Sequence, residues 1–62
     1  MTQEEYKALI NLLYNRLIKN PKATNVMKFQ TRLYLLNILK YVEFEDKETK
    51  QKYKNEIEKY FN

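Results

Sequence analysis

The chain of 62 residues contains no Cys, His, Gly, Trp or Ser and a single Pro. Without Cys there is no disulfide, and without Cys or His the usual ligands of a structural zinc are missing, so neither staple is open to a domain of this size. Without Gly there is no phosphate-cradling loop and no residue suited to a tight hairpin turn. His is the most frequent general acid or base, and Ser and Cys are the most frequent nucleophiles. All three are absent, so neither enzymatic activity nor a cofactor or small-molecule substrate is expected.

Long hydrophobic runs are missing too. Asn37 and Lys40 interrupt the most apolar stretch, well short of the roughly 20 residues a membrane-spanning helix requires. The amino end, Met1-Thr2-Gln3-Glu4-Glu5, is acidic where a secretory signal is basic and then apolar. A cytoplasmic protein without a membrane span is the expectation. Between Tyr6 and Val42 acidic residues are absent altogether, against seven basic ones: Lys7, Arg16, Lys19, Lys22, Lys28, Arg32 and Lys40. Residues 43–62 are nearly balanced, with five basic and six acidic side chains, so the net charge of +4 is carried by the first two thirds of the chain.

What is present is a globular balance of 44% hydrophobic and 32% charged residues, which favours a folded chain over a disordered one. The length allows one domain, residues 1–62, and only marginal burial, so association with a partner would add stability. The bias towards Lys, Asn, Ile, Tyr and Phe is that of an AT-rich genome, and short helical chains of this kind are typical products of mobile genetic elements.

Thr2 followed by Glu5 is a capping box that starts a first helix. Tyr6, Leu9, Ile10, Leu13 and Leu17 recur on one face, widened by Tyr14 and Ile18. The Asn20-Pro21 pair ends it. Thr24 or Asn25 caps a second helix, which the pattern extends from about 25 to 44. Three stripes divide its circumference: Val26, Phe29, Leu33 and Leu36; then Met27, Tyr34, Ile38 and Tyr41; then Lys28, Arg32, Leu35, Leu39 and Val42. No clean period-two alternation supports a strand over Arg32 to Phe44. Asp46 caps a third helix, about 47–61, with a narrow apolar edge of Tyr53, Ile57, Tyr60 and Phe61. The fold class is therefore all-α, a small three-helix bundle, with a long helical hairpin that dimerises as the alternative. Glu43, Glu45 and Asp46 read as a solvated helix boundary, and no metal site is expected. The tyrosines follow apolar stripes and read chiefly as core or half-core rings with wet hydroxyls.

Two functions follow as expectations. Two flanking helices can cover two stripes of helix 2, and the stripe of Lys28, Arg32, Leu35, Leu39 and Val42 is the one expected to stay open as a protein-interaction patch. The module would act as a homodimer or as a regulator or inhibitor docking on a larger protein. In the alternative, Arg16, Lys19, Lys22, Thr24, Asn25, Lys28 and Arg32, with Gln30 and Thr31 between, form a nucleic-acid-binding face in a helix-turn-helix-like arrangement.

Overall fold

Each helix begins where a side chain supplies the acceptor that its first turn lacks. In the computed structural model, which describes residues 1–61, α1 spans Gln3–Lys19, α2 Asn25–Leu39 and α3 Lys47–Tyr60. Thr2 caps α1 in a full capping box: the Glu5 amide donates to Thr2 Oγ1 at 3.2 Å and the Thr2 amide donates to Glu5 Oε1 at 3.1 Å. Thr24 caps α2, accepting from the Met27 amide at 3.2 Å, and Asp46 caps α3, accepting from the Thr49 amide at 2.7 Å. Two of these bonds leave a charge signature. The Thr2 backbone and side chain hold the Glu5 carboxyl below its usual range, and the Thr49 backbone amide does the same first for Asp46.

The connections follow from Pro21 and from the lack of glycine. Asn20, Pro21, Lys22 and Ala23 form a turn closed by the Ala23 amide on the Asn20 carbonyl at 3.1 Å. The Asn20 side chain tightens it, accepting from the Lys22 amide at 3.0 Å. Proline occupies the second turn position, where its fixed φ fits. Helix α2 ends at Leu39 rather than near residue 44. No residue takes a positive φ among those described, so there is no left-handed cap. Instead the chain tightens, with the Tyr41 amide donating to Ile38 and the Val42 amide to Leu39. It then extends, and the Glu43 amide donates to the Met1 carbonyl at 3.1 Å, an isolated parallel bridge to the start of α1. That pairing fixes a stop which local periodicity does not mark, and it keeps α2 and α3 as separate helices.

The three helices form an all-α bundle, elongated at 37 × 17 × 15 Å. Helix α2 runs antiparallel to its neighbours: Tyr6, near the start of α1, reaches Leu35, near the end of α2. Helices α1 and α3 run the same way, since Tyr6 meets Tyr53 with ring centroids 6.0 Å apart and Tyr14 meets Tyr60 at 5.1 Å. The core comprises Tyr6, Ile10, Leu35, Leu39, Val42, Ile57 and Phe61. Around Tyr6 the rings pack edge to face, Phe44 at 6.2 Å and 89°, a geometry favoured by the ring quadrupoles. The Tyr6 hydroxyl is satisfied inside this core by donating to the Leu35 carbonyl at 2.7 Å. Burial pushes its phenol well above the ordinary tyrosine range.

Candidate protein-interaction surface

The stripe of Lys28, Arg32, Leu35, Leu39 and Val42 faces inward, not outward. Leu35 is 0% exposed, Leu39 6% and Val42 8%, so these three belong to the core and do not form an open stripe. The periodicity correctly grouped them on one face of the helix, but α1 and α3 close on that face. Lys28 and Arg32 occupy the same stripe one and two turns nearer the start of α2, and both are half-buried. Their stems can cover apolar surface while the charged heads reach water. A cation at an inward position resists full closure, because burying it unpaired is costly. No side chain from Asn11 to Tyr34 is buried.

What the bundle leaves open is the opposite stripe. At about 100° per residue, Val26 lies about 180° from Leu35 around α2, Leu33 about 160° and Phe29 about 120°. Val26 is 63% exposed, Phe29 48% and Leu33 45%. They recur at i, i+3 and i+7, so they form one ridge on the outer surface of the helix. Arg32 borders it, with its guanidinium carbon 5.1 Å from the centroid of the Phe29 ring. This cation–π contact holds an exposed ring in place beside a positive charge. Farther along, Leu36 is half-buried and shares a shallow hollow of about 430 Å³ with Arg32, Leu33 and Glu58.

The residues expected to meet nucleic acid gather near the α1–α2 turn, where they line different hollows. Arg16 and Lys19 line a hollow with Leu12, Asn15 and Asn20. Lys28 lines a different cavity of about 410 Å³, between Tyr14, Leu17, Ile18 and Tyr60. Lys22 lies in the turn, and Arg32 is engaged with Phe29. The Thr24 hydroxyl is taken up as the cap of α2, and the Thr31 hydroxyl donates to the Met27 carbonyl at 2.9 Å. Asn25 is exposed at the first turn of α2.

The periodicity groups Val26, Phe29, Leu33 and Leu36 as one stripe without marking it as the open one. The signal available was its composition. It has no charge and no polar residue, whereas the stripe through Leu35 carries two cations that restrict how far inward it can be drawn. Among the described residues, no helix is long and apolar enough to cross a membrane, and no group of three or more His, Cys, Asp or Glu side chains is placed to hold a metal ion. The chain matches no protein-family model, no curated protein and no solved structure.

Proposed function

We propose that this protein is a non-enzymatic binding module that acts as a regulator by inserting the outer ridge of α2 into an apolar groove of a larger protein. The observation that carries this reading is the exposure of Val26, Phe29 and Leu33 on one helical ridge, the spacing by which amphipathic helices anchor in grooves. An aromatic ring at the centre of such a ridge, beside an arginine, suits an interface, where both residue types are enriched. Charge favours a different chain over a second copy. The ridge is bordered by Arg32, helix α2 has no acidic residue from Asn25 to Leu39, and the whole chain is at +4. A self-complementary pairing of α2 with α2 brings like charges together, whereas a groove with carboxylates at its rim pairs with them.

The test places a photo-crosslinking phenylalanine analogue at Phe29, with the same analogue at Asn11 as a control, and identifies the adduct formed in cells. The purified partner is then titrated with the wild-type protein and with a Phe29→Glu, Leu33→Glu variant. A larger protein captured at residue 29 alone is expected, with about a 100-fold loss of affinity in the variant while its circular dichroism remains helical. An adduct to a second copy would replace the regulator with a homodimer. A salt-dependent affinity for duplex DNA, lost on Arg16→Gln and Lys19→Gln but not on Phe29→Glu, would replace it with a nucleic-acid binder.

A further inference from the structure

Beside the end of α2, a second surface has a different chemistry. A groove of about 620 Å³ runs between the end of α2 and the start of α3, lined by Leu36, Leu39, Lys40, Lys47, Lys50, Gln51 and Lys54. Its floor is aliphatic and its rim carries four ammonium groups and no carboxylate. Three of the lysines, 47, 50 and 54, recur on one side of α3 at i, i+3 and i+7, an arrangement in which like charges repel along the helix. The carboxylates one helical turn from Lys50 and Lys54, Asp46 and Glu58, are otherwise placed. Asp46 accepts from the Thr49 amide as the cap of α3, and Glu58 lines the adjoining hollow beside Arg32, on the other side of Leu36 from the lysines. A helix that only needed a solvated face would gain stability from alternating signs at these positions. The repulsion is relieved when an anion enters the groove.

We propose that this groove is a docking site for an acidic peptide segment that carries aliphatic side chains between its carboxylates. The volume is that of a ligand cleft. Four ammonium groups spread along the groove match several carboxylates on an extended chain rather than one anionic head group, and the leucine floor takes an aliphatic side chain. A nucleic-acid strand fits less well. No aromatic ring lines the groove to stack a base, and no arginine is there to grip a phosphate through two bonds. The site uses neither Val26, Phe29 nor Leu33, so it stands or falls independently of the ridge on the outer face of α2.

The probe is a fluorescein-labelled peptide of about a dozen residues in which glutamates alternate with leucines, titrated by anisotropy at low salt. Comparison probes are the same peptide with serine for leucine and an oligouridylate of equal length. Saturable binding of the leucine peptide is expected, with amide shifts in a nitrogen–proton correlation spectrum confined to Leu36, Leu39 and residues 47–54. A Lys50→Gln, Lys54→Gln variant, altered only at exposed positions, is expected to stay folded and to bind about fivefold more weakly. The serine peptide is expected to bind about tenfold more weakly. The proposal is overturned by absent saturation, by equal affinity for the serine peptide or the variant, by tighter binding of the oligouridylate, or by shifts centred elsewhere.

Discussion

The two ends of the bundle share the same helices but differ in what stands on the inward stripe of α2. At the end where α1 begins, that stripe supplies Leu35 and Leu39, followed by Val42, and they close over Tyr6, Ile10 and Ile57. At the end around Pro21, the stripe supplies Lys28 and Arg32, and nothing between Asn11 and Tyr34 is buried. One end is a small dry core with a satisfied buried tyrosine. The other is a looser end, where Leu13, Tyr14 and Leu17 are only partly buried and the end of α3 packs through Tyr60 and Phe61 on Tyr14. In a domain this short, stability is concentrated in one half, and the half freed from packing presents Val26, Phe29 and Leu33 outward. A binding surface and a core thus need not compete for the same residues of α2.

The most severe way to test this contrast is to charge each stripe in turn. Leu35→Glu with Leu39→Glu is expected to abolish the cooperative thermal transition, because two carboxylates enter a site with no partner for them. Val26→Glu with Leu33→Glu is expected to leave the transition within about 1 kcal/mol of wild type, since surface substitutions are individually worth about 0.5 kcal/mol or less. Equal damage from both pairs would erase the difference between the ends. Truncation gives the next largest effect. Ile57→Ala, at 0% exposure, is expected to cost about 2–5 kcal/mol in urea unfolding, against a few tenths of a kcal/mol for Val26→Ala.

The buried hydroxyl sharpens the contrast through pH. In the native state the Tyr6 phenol is held neutral above the pH at which it ionises in the unfolded chain. The native protein therefore binds the extra proton, and this contribution to stability is intact below about pH 10 and lost as pH rises beyond it. Tyr6→Phe is expected to remove that tyrosine-linked part of the alkaline decline and to cost about 1 kcal/mol at neutral pH through the lost bond to Leu35. A decline that is unchanged in the variant would assign it to other groups. At acid pH the sign reverses. Glu5 and Asp46 are held below their usual range, so their capping contribution is present at neutral pH and disappears as pH falls below about 4.

The smallest effect separates local from global opening. Thr24→Ala removes the cap of α2 at the loosely packed end, and Asp46→Ala removes that of α3 near the core. Thr24→Ala is expected to cost about 1 kcal/mol of helix stability, and Asp46→Ala is expected to be destabilising as well. For Thr24 the loss should appear as faster hydrogen exchange confined to the first turns of α2. For Asp46 it should appear as a shift of the whole unfolding curve. A global shift of the same size from Thr24→Ala would mean that the two ends unfold as one unit.

Much of the fold was legible in the residues. Thr2 with Glu5, Thr24 and Asp46 announced all three helix starts, since capping is a local exchange between one side chain and the next turn. Asn20-Pro21 announced the first break for an equally local reason. The end of α2 was not legible, because Leu39 becomes its last helical residue through the pairing of Glu43 with the far end of the chain at Met1 and Thr2. The candidate surface was half legible: the three stripes of α2 were correctly separated, and the wrong one was assigned to solvent.

By itself the sequence determined an all-α protein of three capped helices, a cationic first two thirds, and a chain without the residues most used in catalysis. Those properties depend on composition and on neighbours within one or two turns. Only the tertiary structure decided which side of α2 faces inward. Helical periodicity sets the angles between residues on a helix but not its rotation about its own axis. That rotation is set by where α1 and α3 lie, through Tyr6 bonding to Leu35 and through the closure of Leu39, Val42 and Ile57 around it.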